Sequence, residues 1–340
     1  MNEPRPSSKT TATNTSTNRT ANYQRHLALQ EITVKLATVR HHPLDESRLA
    51  AVVDTDGSPL VVDIAQLGVV AGVELPSTML EFIDLGPTAI PLTAGLLAND
   101  AHRNSPGVSV PLANVELLAP IPRPRKNMWG IGLNYAEHVA ESARSLDTAK
   151  EMPEKAVIFC KPPSTVCAPG QPIVHNPELT QQLDWEVELA AVIGTRAKQV
   201  SADDAMSYVF GYTVMIDVSA RDARRSGQWI VSKGQDTYGP MGPWIVTADE
   251  IADPHNLDLS LTKNGETKQS SNTKHMYFKI PALIEDISQG MTMDPGDVIL
   301  TGTPEGVGAG MDPQEWMWPG DTITATVEGI GSITHPIVGV

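Results

Sequence analysis

Apolar and polar positions alternate in short runs along most of this 340-residue chain, and a helical period takes over in only a few places. The stretches "ITVKLATV" from Ile32, "RLAAVV" from Arg48 and "PLVVDI" from Pro59 read as strands, the last two joined across Asp54-Thr55-Asp56-Gly57 by an Asp-Gly hairpin signal. "STMLEFIDLG" reads as a helix stopped by a glycine. Prolines crowded between Pro120 and Pro124 mark a boundary, and beyond Asn127 the chain becomes short strands and tight turns. A Ser201-x-x-Asp204 cap opens a helix that runs into the strand "GYTVMI", ended by Asp217. "LDLSLTKNGETKQSS" is a hairpin about Asn264-Gly265, and "IPALIEDISQGM" a helix closed by Gly290. Pro-Gly-Asp turns open strands in "MDPGDVILTGTP" and "WPGDTITATVEGIGSI". The pattern predicts a β-rich α+β protein: a tail over 1–30, a small α+β domain over 31–122 and a strand-rich domain over 123–340.

The first residues, rich in Ser, Thr and Asn, have the composition of a disordered tail and contain no apolar signal region. Their acid-poor, Arg-containing character also resembles an organelle transit peptide. The sequons at Asn14 and Asn18 carry no meaning without secretion. The adjacent His41 and His42 would leave opposite faces of any strand and are read as surface residues.

Charge narrows the partners. With 40 acidic and 25 basic residues the net charge is −15, and no basic block interrupts it, which argues against nucleic acid and anionic membranes. No apolar run approaches the roughly 20 residues needed to span a bilayer. The only cysteines, Cys160 and Cys167, form neither a disulfide framework nor a paired zinc motif, and reduced thiols imply a cytoplasmic protein.

Candidate chemistry begins with "DWEVELAAVIG". Glu186 and Glu188 stand two apart and leave the same face of a strand. Such a pair is compatible with a solvated edge; in a buried place it demands a proton or a cation. Asp217, at the end of the following strand, completes an all-oxygen trio suited to Mg2+ or Mn2+, although a strand-end Asp can equally cap a turn. In "NYAEHVAES", His138 and Glu141 at i, i+3 can form a water-activating pair or an ordinary surface pair. Lys233 in "SKGQDTYGPMGP" can stabilise an oxyanion or enolate, or be a plain loop lysine, and Arg221 can pair with a substrate carboxylate. "GIGLNY" and "GVGAG" lack the full dinucleotide fingerprint and its βαβ frame, and no G-x-S-x-G elbow occurs.

Taken in order, "GLNYAEHVAE", "KPPST", "DWEVELAAVIG", "GYTVMIDVSARD", "KGQDTYGPMGP" and "DPGDVILTGTPEGVG" resemble the fumarylacetoacetate hydrolase family over Lys126 to Val340. The resemblance implies a rolled mixed β-sheet catalytic domain, a homodimer, a small-molecule 2-oxo acid substrate and a bound Mg2+ or Mn2+. Glu186, Glu188 and Asp217 match the metal carboxylates, His138 and Glu141 the dyad on a lid that closes over ligand, and Lys233 the lysine near substrate oxygens. Arg221 falls in the "SARD" motif and Thr303 in the "TGTP" turn beside the ligand. Arg224 stands where some relatives carry glutamine, which leaves the substrate's distal group open. Trp316 and Trp318 are untypical and read as surface packing. The expected activity is metal-dependent hydrolysis of a C–C bond in a 2,4-dioxo acid. Its alternatives are decarboxylation of an oxaloacetate-type β-keto acid, or tautomerisation or hydration of a 2-oxo acid. A binding protein that has lost catalysis is disfavoured by retention of the whole constellation.

Overall fold

The computed structural model describes residues 34–40, 46–55, 57–145 and 151–340. The expected tail, its sequons at Asn14 and Asn18, and His41 and His42 lie outside the described residues. In chain order the strands are β1 (Lys35–Arg40), β2 (Ser47–Thr55), β3 (Ser58–Asp63), β4 (Ser109–Pro111), β5 (Glu116–Leu117), β6 (Met128–Gly132) and β7 (Val157–Lys161). Next come β8 (Val166–Cys167), β9 (Ile173–His175), β10 (Leu183–Asp184), β11 (Val187–Ile193), β12 (Val209–Ile216), β13 (Ser219–Ala220) and β14 (Gly239–Thr247). The last are β15 (Asp258–Lys263), β16 (Glu266–Asn272), β17 (Val298–Leu300), β18 (Thr322–Val327) and β19 (Gly331–Gly339).

These strands form a mixed α+β architecture. A 12-stranded sheet runs β4-β3-β2-β1-β14-β12-β11-β17-β6-β7, with β5 added on β1 and β8 on β14. Most of its pairs are antiparallel, whereas β17–β6 and β14–β8 are parallel. Because β1 pairs with β14, the strands before residue 122 and those after it share this sheet. A five-stranded sheet, β16-β15-β18-β19-β9, packs against β11, β12 and β14.

The core between the sheets follows from strand parity. Val187, Leu189, Ala191 and Ile193 of β11 and Val214 and Ile216 of β12 meet Leu259, Leu261, Ile323, Ala325 and Ile333 there. Residues of opposite parity, Glu188 among them, face the other side of the large sheet. Every residue of β11 and β12 is buried, as central strands covered on both faces require. The helix Ile280–Gly290 seals one edge through Ile280, Leu283, Ile284 and Ile287, an i, i+3, i+4, i+7 stripe.

Most local expectations reappear. Asn264 (φ 53°) and Gly265 (φ 83°) form the β15–β16 turn, with both residues at positive φ as a two-residue hairpin requires. The helix in "STMLEFIDLG" spans Met79–Asp84, capped by Thr78. The stretch after Ser201 differs: it is one 3₁₀ turn, Ala205–Tyr208. Ser201 Oγ donates to Asp204 Oδ2 at 2.8 Å, so the two close on each other, and the β-branched and aromatic residues that follow enter the sheet. Trp318 is exposed and packs edge-on against His175, and Trp316 is half-buried.

Candidate active site

The register of β11 against β12 sets the acidic trio. Val187 opposes Ile216 and Glu188 opposes Met215, so Glu186 and Asp217, the next pair out, flank each other on the face that carries Glu188. Asp217 N donates to Glu186 O at 2.9 Å, which fixes that end. Carboxylate oxygens of all three residues lie within 4.8 Å of one another, and all three are buried.

Three cations surround the trio. Lys233, ending the short helix Ile230–Lys233, places Nζ 2.9 Å from Glu186 Oε2 and donates also to Asp217 Oδ2 and Ser219 Oγ. Lys161, the last residue of β7, is fully buried and donates to Asp217 Oδ1 at 2.6 Å and to the Lys233 carbonyl. Arg221 donates from Nε to Asp184 Oδ2 at 2.8 Å, and its second nitrogen lies 2.7 Å from Glu186 Oε1 as an ion pair rather than an aligned hydrogen bond. Arg221, expected against a substrate carboxylate, thus has its guanidinium on protein carboxylates. Asp184 accepts further from the Gly308 and Ala309 amides at 2.7 and 3.0 Å.

Electrostatics divides the trio. Burial alone would raise Glu186, but Lys233 and Arg221 beside it hold its carboxyl well below the usual range. Glu188 is pushed far up, first by burial and then by the charges of Asp217 and Glu186. Burial also depresses the Lys161 ammonium against the pull of Asp217. Four buried carboxylates (Asp184, Glu186, Glu188, Asp217) are packed with three buried basic groups (Lys161, Arg221, Lys233). Glu188 Oε2 accepts from the Gly302 amide at 2.6 Å, whereas its Oε1 is buried with no hydrogen-bond partner among the described residues. An orphaned buried carboxylate oxygen and an all-oxygen donor set together fit a hard divalent cation.

The dyad residues come together on the helix Ala136–Ser145. His138 Nδ1 lies 3.3 Å from Glu141 Oε2, and Glu141 Oε1 accepts from the Gly306 amide at 3.1 Å. The helix is pinned at its start by Asn134, fully buried, whose side chain donates to the Phe278 and Thr301 carbonyls and accepts from the Phe278 amide. At Gly310 an added Cβ would stand 2.0 Å from Glu141 Cδ, so the glycine leaves the space that the carboxylate fills. The "GVGAG" glycines therefore seat the dyad's acid. Thr303 Oγ1 donates to the Val187 carbonyl at 2.9 Å and accepts from Gln269 Nε2 at 2.8 Å, tying the "TGTP" turn to β11.

One pocket collects these parts: His138, Glu186, Arg221, Arg224, Lys233 and Thr303 line it, with Trp229 and Leu133 in its wall. Leu133 holds φ 56°, a left-handed conformation that costs a non-glycine residue on the order of 1 kcal/mol or more. Asp184, Lys161, Asn134 and Gln269 join the site beyond the residues that the sequence motifs indicate. A lysine ending the apolar run "VIFCK" and a third acid heading "DWEVE" are the signals that mark the first two.

Comparison with known proteins bears on the family and the fold. The sequence model of the fumarylacetoacetate (FAA) hydrolase C-terminal family matches residues 127–338. The chain is 42% identical over 266 residues to "Oxaloacetate tautomerase Fahd2a, mitochondrial" of Rattus norvegicus, covering 78% of this chain and 80% of the relative. It is 43% identical over 227 residues to "Oxaloacetate tautomerase YisK" of Bacillus subtilis, covering 66% and 74%. Among solved structures, 5-carboxymethyl-2-hydroxymuconate delta-isomerase from Mycobacterium smegmatis superposes with a TM-score of 0.67 at 35% identity, over 90% of this chain and all of that one. The expected cytoplasmic location does not stand, because the rat relative is named a mitochondrial protein. No helix among the described residues is long and apolar enough to cross a membrane. With the metal-type carboxylates, the dyad and the fold in one place, the chain belongs to the fumarylacetoacetate hydrolase family.

Proposed function

We propose that the protein interconverts the keto and enol forms of a short 2-oxo acid of the oxaloacetate class, with Mg2+ or Mn2+ held by Glu186, Glu188 and Asp217. The observation that carries the reading is that Glu186 of the buried acidic trio and His138, paired with Glu141, line one pocket. The relatives named oxaloacetate tautomerases support proton transfer over the hydrolytic cleavage expected from the sequence.

When bound, a divalent cation supplies a Lewis acid that polarises the 2-keto oxygen and acidifies the adjacent C–H. Glu141 orients the imidazole through Nδ1, leaving His138 Nε2 to take the proton from C3. The imidazolium then returns that proton to the O2 oxygen, a transfer that consumes no water and releases no fragment. Lys233 adds positive charge on the side where O2 becomes negative, and Thr303 and Gly302 hold β11 and Glu188 in place. The homodimer is part of the same proposal, and the solution mass tests it.

The deciding experiment follows decay of oxaloacetate enol with loaded and chelated protein, together with mass analysis of products. Acceleration that chelation abolishes and His138→Ala lowers by on the order of 10²-fold to 10⁴-fold is expected. Activity untouched by chelation, or acyl cleavage products as the main yield, would overturn it.

A further inference from the structure

The pocket's cations are not equally engaged. Arg221 and Lys233 are held by Asp184, Glu186 and Asp217. Arg224 lines the same pocket, and among the described residues no carboxylate pairs with it. Its position is built by the chain around it. Arg225 and Gln228 exchange backbone hydrogen bonds, N to O at 3.3 and 2.8 Å, across a two-residue turn in which Ser226 has φ 48° and Gly227 φ 80°. In such a ribbon the next pair outward, Arg224 and Trp229, projects side by side on one face. The guanidinium carbon accordingly sits 4.7 Å from the Trp229 ring centroid. Trp229 is seated in turn against Gly132, where an added Cβ would lie 2.4 Å from the indole Cζ3. Stacking occupies the face of a guanidinium and leaves its in-plane N–H fork free, the geometry that takes a carboxylate through two hydrogen bonds. Half-burial and the neighbouring Arg221 work against the Arg224 charge while Glu186 supports it from beyond ion-pair distance, so an anion on the open N–H fork is favoured.

We propose that Arg224, stacked on Trp229, binds a second carboxylate at the far end of the substrate and so restricts the site to short 2-oxo and 2-hydroxy diacids. Arg224 here determines specificity and takes no part in proton transfer. The inference rests on the proposed reading only in that the first carboxylate and its neighbouring oxygen occupy the Glu186 end of the pocket.

L-malate and L-lactate differ by one carboxylate, and titration calorimetry of each into Mg2+-loaded protein isolates its contribution. Wild type should bind malate on the order of 10-fold to 100-fold more tightly than lactate. Arg224→Gln should erase the preference while leaving lactate affinity within about threefold, Arg224→Lys should keep part of it as a point charge, and Trp229→Leu should weaken it. A wild type without the preference, or an Arg224→Gln protein that keeps it or loses both ligands equally, overturns the proposal. Thermal melts identify any variant that is merely misfolded, and Arg224→Lys then decides. A malate preference abolished by Arg224→Gln in a protein that does not tautomerise oxaloacetate would remove the proposed reaction and leave this inference standing. Tautomerase activity with a malate preference indifferent to Arg224 would do the reverse.

Discussion

Both sheets carry polar side chains into the interior, but the 12-stranded sheet gathers buried charges into one cluster, whereas the five-stranded sheet buries mostly neutral groups, with Lys263 at the end of β15, paired with Glu315 and Asp321, as its one buried charge among the described residues. Around β11 and β12 lie Asp184, Glu186, Glu188, Asp217, Lys161, Arg221 and Lys233, each fully or nearly buried. In the smaller sheet His335 on β19 donates through Nδ1 to the Gln171 carbonyl at 2.8 Å, His175 on β9 contacts the Thr180 carbonyl at 3.0 Å, and Gln269 on β16 ties Val187 to Thr303. A buried ion costs several kcal/mol unless partners surround it, so a cluster of seven is a poor way to hold a fold and a good way to prepare a field. Neutral groups that each find one carbonyl serve as fasteners. Chemistry and scaffold are therefore separable here, and each of the following substitutions acts on one side of that division.

The largest effect is expected at Asp184. Asp184→Ala removes the acceptor of Arg221 Nε, leaving that buried guanidinium only its ion pair with Glu186, and leaves the Gly308 and Ala309 amides without their acceptor. Breaking a buried pair from one side costs about 3–5 kcal/mol, read by denaturant unfolding of the metal-free protein. A loss below about 1 kcal/mol would show that water compensates Arg221 and that the charged cluster is less closed than the geometry indicates.

His335 probes the neutral side through pH. Burial lowers its imidazole to about 4, below the ordinary 6.5, so the folded state prefers the uncharged ring. Its stabilising contribution is complete above pH 6.5 and is lost as pH falls towards 4. Between pH 7 and pH 5 the loss amounts to about 2 kcal/mol. His335→Gln should remove that share of the slope, measured as the difference between the two proteins' unfolding free energies at the two pH values. Equal slopes would mean that the ring is already charged or already wet.

What could be read from the chain divides along similar lines. The E-x-E spacing placed Glu186 and Glu188 on one face because strand parity is a local rule, and Asn264-Gly265 announced its hairpin for the same reason. Asp217 was legible as the residue ending an apolar run. Lys161 and Asp184 stand in telling local positions, but their pairings are not legible, since their partners lie 56 and 37 residues away and no local pattern records a pairing made by sheet topology. The same limit hid the engagement of Arg221: its residue type announces an anion, and only the fold says whose. Gln269, reaching Val187 across 82 residues, looks in sequence like any polar residue of an exposed hairpin.

Gly310 tests whether the dyad is held by its surroundings. A methyl added at this glycine would meet the Glu141 carboxylate, the movable end of a side chain, so Gly310→Ala should displace Glu141 and leave the core intact. Turnover should fall about tenfold or more, with the melting temperature nearly unchanged, because the acid that orients His138 also loses its bond from Gly306. Gly290→Ala, where an added Cβ meets nothing within 4 Å, is the matched control. Unchanged turnover in Gly310→Ala would show that Glu141 keeps His138 aligned from more than one position.

The smallest effect belongs to the outer face of the five-stranded sheet. In β18 and β19, Ile323, Ala325, Val327, Ile333, His335 and Ile337 point inward, and the alternate positions Thr322, Thr324, Thr326, Ser332 and Thr334 carry hydroxyls. Thr324 opposes Thr334 with Oγ1 atoms 2.9 Å apart, and Thr326 opposes Ser332 at 2.8 Å. These bonds face solvent, where water replaces a lost partner, and a cross-strand pair of this kind contributes roughly 0.2–1 kcal/mol. A double-mutant cycle of Thr324→Ala and Thr334→Ala should give a coupling in that range, with turnover unaffected in all three variants. Their residues touch neither the carboxylate cluster nor the pocket, so a change in turnover would mean that strain in the smaller sheet reaches β11 through Gln269 and Thr303. In that event Gln269→Ala should reproduce the change, and the division between scaffold and chemistry would fail at that bridge.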